Sequence, residues 1–321
     1  MSRTLVVTVI ATSHILLALA ACGDMNTPAA DGGWSDGATP VDPADAPIGD
    51  DAGASDDGGA ACTLGQLSAT AVAMADPSIL LVADGAAIDR HDGSTRQLAW
   101  ARLTRGFVRS MVTAPDGMVY ISSDHGVYRA DTRDTSPTVE TVAEFTAPGY
   151  EPAYALAVAP DGTVFHADQR PSGLVVVAIP PGGLRHDVTT APLPGVPGGL
   201  VVDASGDLLM LTLFGHALWR IDLDDGRREQ ARRELYQVTG ASGLNYGLAL
   251  DDAGRALVST SSTRRVIRVS ASFDSEEVLA ALPDVIVPTN MAFGRGCWGE
   301  TSLYVAGFPV TRIEAGSHGV P

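Results

Sequence analysis

The sequence contains no lysine, and all 21 of its basic residues are arginine. This absence excludes enzymes that hold a substrate as a lysine Schiff base and nucleotide-binding proteins that use a Walker-type lysine. Basic residues are also outnumbered, because 38 acidic side chains give the chain a formal net charge of −17. A nucleic-acid partner requires a concentrated basic surface, so the charge balance argues against one.

Cysteine and aromatic residues are also scarce. The chain has three cysteines and neither a Cys-x-x-Cys nor a His-Glu-x-x-His motif, which excludes the common structural zinc sites and zinc-dependent proteases. Aromatic residues make up 6% of the chain, whereas there are 35 glycines and 20 prolines. Many turns, combined with 45% hydrophobic residues, are typical of a many-stranded β protein with a large core.

Residues 1–21 have the pattern of a secretory signal peptide. Arg3 is followed by an apolar stretch that is too short and too interrupted to span a membrane. The stretch ends in Leu-Ala-Ala-Cys, which resembles the bacterial lipobox and implies cleavage before Cys22 and lipid attachment to its thiol. An ordinary secretory signal is the alternative. Gly23 follows the cysteine where inner-membrane retention usually has aspartate, so we expect anchoring at the outer membrane or cell surface.

Residues 22–61 are predicted to be a disordered linker after the lipidated cysteine. Residues 23–61 contain nine aspartates and no arginine, and they are otherwise rich in glycine, alanine and proline. Few of these side chains could be buried, and like charges keep such a chain extended. A flexible linker of this length spans roughly 35 Å, so the remaining domain, residues 62–321, would stand off the membrane.

A unit of about 45 residues repeats along residues 62–321. The steps between the turn glycines of its clearest copies are 45, 44 and 48 residues. These glycines are Gly117, Gly162, Gly206 and Gly254. A fifth copy begins at Met291 and a degenerate first copy begins at Val72. Each unit predicts four strands joined by tight turns, so the sequence predicts an all-β fold, a six-bladed β-propeller of four-stranded antiparallel blades.

The two cysteines of this domain lie at its opposite ends. Cys62 precedes the first copy, and Cys297 lies in the first turn of the last one. An exported protein with one remaining cysteine pair favours a disulfide, which would pin the seam where the ring closes. Residues 62–69 could then add a fourth strand to the last blade, which otherwise has three. Two unpaired thiols are the alternative.

The repeated unit resembles a known propeller family. The segments Ala-Val-Ala-Pro-Asp-Gly-Thr-Val-Phe-His-Ala-Asp, ending at Asp168, and Asn290-Met-Ala-Phe-Gly294 are similar to repeats of the gluconolactonase-like (SMP-30) and NHL-type six-bladed propellers. The resemblance implies lactone hydrolysis and a divalent cation, usually calcium, held by Glu, Asn and Asp at the mouth of the central channel. The equivalent positions in this chain are Thr70, Arg109, Tyr154, Gly198, Tyr246 and Thr289.

None of these six residues is a carboxylate or an asparagine, whereas calcium requires several oxygen ligands that include carboxylates. Asn245 and Asn290 lie one residue out of register. We therefore expect no catalytic residues and no metal site, and the sequence predicts a non-catalytic propeller that binds a ligand or a partner. A gluconolactonase-like hydrolase with an atypical or degenerate metal site is the alternative, and calcium is a cofactor only under that alternative.

We expect function on the face that carries the loops between blades and the turns between second and third strands. Its mixture of aromatic, basic and acidic side chains favours recognition of a small molecule, a glycan or a protein. The candidate binding residues are Arg109, His125, Tyr154, Asp168, His216, Asn245 and Tyr246. Four arginines recur in the third strands and are predicted to pair with acids of neighbouring blades or to pack through their stems. They are Arg129, Arg220, Arg268 and Arg312.

Overall fold

The computed structural model describes residues 62–64, 67–75, 78–145, 151–239, 244–282, 285 and 287–320, with the backbone alone for residues 151–154 and 245–246. The strands of these residues form six antiparallel sheets, of which five have four strands and one has three. No helix in this part of the chain is both long enough and apolar enough to cross a membrane.

The first three sheets are blades 1 to 3. Blade 1 consists of β1 (Ala71–Ala75), β2 (Ile79–Asp84), β3 (Ala87–His91) and β4 (Arg96–Arg102). Blade 2 consists of β5 (Val108–Thr113), β6 (Met118–Ser123), β7 (Gly126–Asp131) and β8 (Glu140–Glu144). Blade 3 consists of β9 (Glu151–Val158), β10 (Val164–Arg170), β11 (Gly173–Ile179) and β12 (His186–Asp187).

The last three sheets are blades 4 to 6. Blade 4 consists of β13 (Pro197–Val202), β14 (Leu208–Thr212), β15 (Ala217–Leu223) and β16 (Glu229–Gln237). Blade 5 consists of β17 (Asn245–Leu250), β18 (Ala256–Thr260), β19 (Arg265–Val269) and β20 (Glu276–Ala281). Blade 6 consists of β21 (Met291–Phe293), β22 (Ser302–Val305) and β23 (Thr311–Glu314), with a 3₁₀ turn at Gly296–Trp298.

The blades form a closed ring. The first strand of each blade contacts the first strands of both neighbouring blades, and β21 of the last blade contacts β1 of the first. Six apolar clusters fill the six interfaces between adjacent blades. Second strands such as β2 and β14 are apolar along their length because both faces of each sheet are buried. The prediction of a six-bladed propeller is confirmed.

The repeated Asp-Gly pattern builds the tight turn between first and second strands. In blade 3 the Asp161 carboxylate accepts a hydrogen bond from the Thr163 N–H at 2.9 Å, and the Gly162 N–H donates to the Ala159 carbonyl at 2.9 Å. Gly162 has φ of 81°, a left-handed conformation that glycine adopts without steric cost. The repeat in the sequence is therefore a repeat of turn geometry.

The ring closes through the N-terminal segment of the domain. A disulfide joins Cys62 to Cys297 with their Cα atoms 5.2 Å apart, as the sequence predicts. The segment does not become a fourth strand of blade 6, since its described residues are irregular. Leu67 accepts a hydrogen bond from Val310 at 2.6 Å and Ala69 donates one to Gly307 at 2.9 Å, so the segment is held at the β22–β23 turn instead.

The recurring third-strand arginines pair within their own blades. Arg129 pairs with Glu140 at 2.8 Å, and Arg268 pairs with Glu277 at 3.0 Å, each directly across from it on the fourth strand. Arg220 and Arg312 likewise pair with acids of blades 4 and 6. The prediction of ion pairs between blades is wrong, because acids of the same blade, on the fourth strand, on the third strand itself or in the turns, lie within pairing distance.

Gly93, in the β3–β4 turn, packs against the disulfide and provides a test of the seam. A Cβ at this position would lie 2.0 Å from the Cys62 sulfur and 3.1 Å from the Cys297 sulfur. We expect Gly93→Ala to leave a fraction of these thiols free and to lower the free energy of unfolding by up to about 2–5 kcal/mol, the usual cost of losing a disulfide.

The matched control is Gly182→Ala, since Gly182 has a similar positive φ but no atom within 4 Å of the added Cβ. Thiol titration and urea unfolding of both variants separate the steric effect from backbone strain. Equal thiol content and equal stability in the two variants would contradict the proposed packing.

Candidate functional site

A cavity of about 440 Å³ occupies the central channel. We call the face with the blade-to-blade loops the upper face, and the face with the turns between first and second strands the lower face. The cavity extends from Ser110 and Gly247, near the upper ends of their strands, to the turn residues Pro115 and Pro160 at the lower face. Glu300 and His318 line its lower mouth with side chains that are more than half exposed, so the cavity reaches the surface there.

The walls of the cavity combine apolar side chains with strand edges. Each first strand has its second strand on one side only, so its other edge of backbone N–H and C=O groups faces the channel. The large side chains that line the cavity are apolar. They include Met74, Met111, Leu156, Leu248, Met291 and Phe293.

Asn290 ties three blades together at the upper end of this cavity. Its side-chain oxygen accepts a hydrogen bond from the Val72 N–H at 2.8 Å, and its amide nitrogen donates to the Met111 carbonyl at 3.3 Å. Thr113 of blade 2 similarly donates to the Met74 carbonyl of blade 1. The Asn290 amide therefore satisfies exposed strand edges, a role that no local pattern in the sequence reveals.

The upper end of the channel does not provide a calcium site among the described residues. The Thr70 hydroxyl donates to the Ala83 carbonyl at 3.2 Å, and the Thr289 hydroxyl donates to the Thr70 carbonyl at 2.8 Å. Arg109 brings a positive charge to the same ring, whereas calcium requires carboxylate ligands. No group of three or more His, Cys, Asp or Glu residues suitable for a metal occurs in the part of the chain that the structure describes. These residues do not fit the cation.

The predicted binding residues whose side chains the structure describes belong to three different blades. Arg109 of β5 pairs with Asp124 in the β6–β7 turn, with its Nε 2.6 Å from the carboxylate. His125 lies in the same turn of blade 2, whereas His216 lies in the β14–β15 turn of blade 4. The side chains of three further candidates lie outside the described part of the structure. They are Tyr154, Asn245 and Tyr246.

Asp168, the remaining candidate, belongs to a buried polar relay between blades 2 and 3. Its carboxylate lies 3.0 Å from His166 Nδ1, and His166 Nε2 lies 3.3 Å from the Ser122 hydroxyl. All three residues are at most 1% exposed. Ser122 and His166 are 44 residues apart, which is one repeat, so equivalent second strands of neighbouring blades bring them together. That spacing is the signal by which the sequence could have indicated the contact.

Two arginines complete the relay. The Arg170 guanidinium lies 3.4 Å from the Asp168 carboxylate, and Arg185 also pairs with it. Burial acts to raise the pKa of Asp168, but the His166 hydrogen bond and the arginine charges outweigh it and hold this pKa below its ordinary value. Phe145 stacks on the His166 ring with centroids 4.6 Å apart. Asp168 is therefore an ionised buried group with bonded partners.

The Ser122–His166–Asp168 order is also that of a hydrolase triad. A nucleophile must reach its substrate, and the Ser122 side chain lies wholly inside the interface between blades, with 0% exposure. The geometry instead suits a set of hydrogen bonds that holds blade 2 to blade 3. A buried polar network of this kind is stabilising when each of its members has a hydrogen-bond partner.

Comparison with known proteins supports the fold. Neither a protein-family model nor a curated protein sequence matches this chain. Among solved structures, a gluconolactonase from Xanthomonas campestris is 16% identical over 81% of this chain and 88% of its own, with a TM-score of 0.59. The calcium-binding protein regucalcin from Agrobacterium tumefaciens is 15% identical over 79% and 90%, also with a TM-score of 0.59.

The chain shares the fold of the gluconolactonase-like and regucalcin-like propellers. A chain of the nidogen/laminin complex is also similar, with 18% identity over 74% of this chain and 89% of that one, and a TM-score of 0.58. At these identities the likeness concerns the fold, and the fold alone does not determine the activity. The same architecture occurs in an enzyme and in a complex between proteins.

The relay gives a sharp stability test. Asp168→Asn removes a buried charge that faces His166, Arg170 and Arg185, and we expect it to lower the free energy of unfolding by about 3–5 kcal/mol at pH 7. Asp187→Asn is the control, because Asp187 pairs with the same Arg170 at 2.6 Å but is half exposed. Asp187→Asn should lower the free energy of unfolding by less than about 1 kcal/mol. Urea unfolding measures both, and similar losses would contradict the buried role.

The pH dependence of this difference follows from the lowered pKa of Asp168. An Asp whose pKa is lowered by folding stabilises the protein above its unfolded pKa of about 3.9 and loses that contribution as the pH falls through the folded pKa. The stability gap between wild type and Asp168→Asn should therefore be full at neutral pH and should shrink only below about pH 3.9. If the stability difference between wild type and Asp168→Asn instead disappears near pH 6, the titrating group responsible is not Asp168.

Proposed function

We propose that this protein is a lipid-anchored propeller of the cell envelope that binds a small molecule in its central channel without catalysing its conversion. The observation that carries the proposal is the cavity of about 440 Å³. Small-molecule sites have volumes of roughly 300–1,000 Å³ and mostly apolar walls with a few polar groups. The channel has both properties, which supports an apolar or amphipathic ligand rather than a strongly polar one.

The lower mouth of the channel is the entrance in this proposal. Arg295, Glu300 and His318 line the cavity at this face, and the turn prolines Pro115 and Pro160 form part of its rim. The upper-face residues that the sequence favours stay a separate prediction, for a small molecule, a glycan or a protein partner. The channel is preferred because its walls surround a ligand above the open lower mouth, and burial of apolar surface contributes about 25 cal/mol per Å².

The lipid anchor of this proposal rests on the lipobox-like sequence that ends at Cys22. Cys62 is bonded to Cys297, which follows β21 at the lower face, so the preceding chain joins the propeller at that face. Residues 1–61, which carry the lipobox-like leader and Cys22, lie outside the described residues.

A gluconolactonase-like hydrolase is the second candidate function. The similarity to a gluconolactonase and to regucalcin favours it. It would require an atypical site, because the described residues at the upper end of the channel are engaged with backbone groups or carry positive charge.

A channel-filling substitution tests the first proposal. Val112 lines the cavity and is partly exposed, so we expect Val112→Trp to fill the channel. The neutral fluorescent probe N-phenyl-1-naphthylamine should bind the mature wild type saturably, and Val112→Trp should weaken that binding at least about tenfold, since roughly 1.4 kcal/mol of contact is lost.

Val278→Trp is the matched control, because Val278 is exposed on the outer strand β20 and does not line the cavity. Thermal melting verifies that both variants fold. If the probe binds Val112→Trp as tightly as wild type, the channel is not the binding site.

Calcium separates the two candidates. Under the first proposal we expect about 10 mM calcium, above the dissociation constants of roughly 10⁻⁴–10⁻³ M of extracellular calcium modules, to leave the melting temperature unchanged. We also expect a panel of γ- and δ-lactones to remain unhydrolysed. Saturable stabilisation, which reaches about 2.7 kcal/mol at 100 times the dissociation constant, together with calcium-dependent turnover would establish the hydrolase instead.

A further inference from the structure

The ionisable side chains that line the channel cavity lie together on one side of its lower mouth. Among the described lining residues, only Arg295, Glu300 and His318 carry ionisable side chains. Arg295 and Glu300 belong to the β21–β22 connection of blade 6, and His318 belongs to the C-terminal segment. The segment is held beneath blade 5, where Asp252 donates to the His318 carbonyl at 2.8 Å. The polar end of a bound molecule would therefore lie at this side of the mouth.

Arg295 carries the permanent positive charge among the described residues that line this mouth. Glu300 faces His318, with 3.5 Å between carboxylate oxygen and Nδ1. Arg295 makes no ion pair with any residue that the structure describes. By contrast, three other arginines of the lower face each pair with a carboxylate. They are Arg220, Arg227 and Arg255. A free guanidinium beside an apolar cavity offers two parallel N–H donors, a geometry that matches a carboxylate.

The backbone that carries Arg295 is fixed. Arg295 is extended and immediately precedes the 3₁₀ turn Gly296–Trp298, and its carbonyl accepts a hydrogen bond from the Trp298 N–H at 3.1 Å. Within this turn Cys297 is bonded to Cys62, and the Trp298 side chain is buried. Because this backbone is already fixed, a ligand that contacts Arg295 loses less conformational entropy on binding.

Three acids of the surrounding turns are paired with arginines. Asp161 pairs with Arg227, Asp203 pairs with Arg220 and Asp251 pairs with Arg255, each at 2.7 Å. An anionic group that enters the mouth therefore meets paired carboxylates on these three blades. This removes much of the repulsion that the acidic composition of the chain would otherwise imply.

We propose that the ligand of the channel is an amphiphile with one apolar chain and one carboxylate head. This inference rests on the proposed function. The chain lies among the apolar side chains of the cavity, which include Met74, Met111 and Leu248. The head lies at the lower mouth and accepts hydrogen bonds from the Arg295 guanidinium. Flexible methionine side chains suit an acyl chain because they adapt to an irregular surface.

Calorimetric titration of the mature protein with three ligands of equal chain length tests the head group. The ligands are decanoate, decanol and decylamine. We expect decanoate to bind about tenfold more tightly than decanol and decylamine to bind more weakly than both. The carboxylate accepts charge-assisted hydrogen bonds that the hydroxyl of decanol cannot match, and exposure at the mouth limits the expected effect to about tenfold.

Arg295→Met keeps a flexible, unbranched side chain and removes the guanidinium and its charge. It should weaken decanoate binding about tenfold and leave decanol binding unchanged. Arg228→Met is the control, because Arg228 is exposed in the β15–β16 turn of the lower face and does not line the cavity. It should change neither affinity. Decanoate should also displace N-phenyl-1-naphthylamine from the wild type. Such displacement would show that the decanoate chain and the probe occupy the same channel.

The outcomes distinguish this inference from the function on which it rests. If decanoate and decanol bind equally and Arg295→Met has no effect, the carboxylate head is wrong while channel binding stands. If decylamine binds best, the mouth selects cations and the inference is overturned in favour of Glu300. If none of the three ligands and no probe binds, both the inference and the proposed function fail.

Discussion

The structure depends on the burial of both faces of every blade. Strands such as β2 and β14 are apolar on both sides, so a blade is stable only between two neighbours. A row of such sheets always leaves two apolar faces uncovered unless it closes into a ring. The disulfide between Cys62 and Cys297 and the hydrogen bonds of Leu67 and Ala69 hold the two ends of the chain together at that closure.

Ring closure also creates the candidate site. Six first strands meet around one axis and cannot pair across it, so their edges and side chains enclose a channel. Where side chains such as Asn290 and Thr113 bind these edges, blades are joined. Asn290 and Thr113 also line the cavity, whose lower mouth has a polar rim. The same packing constraint therefore explains both the stability of the fold and the position of a ligand.

Polar residues that would suggest catalysis in another setting have structural partners here. Ser122, His166 and Asp168 have the order of a triad but lie inside an interface between blades. Asn290 has a side-chain oxygen of the kind that ligates metals, but its amide binds two backbone groups. Residue type and spacing do not separate these roles, because access to solvent and the identity of bonded neighbours are properties of the folded chain. The likeness to a gluconolactonase and to regucalcin consequently supports a fold and leaves the chemistry to the site.

The sequence by itself determined the all-β class, the number of blades, the turn glycines and the cysteine pair. These follow from a repeat of about 45 residues and from composition, which are local or periodic properties. Tertiary structure alone decided that Arg129 and Arg268 pair within their blades, that residues near Leu67 are held at a turn rather than in a strand, and that Arg295 lies at the mouth of a cavity. These facts depend on which groups from distant parts of the chain meet in space, and only the closure of the ring brings those groups together.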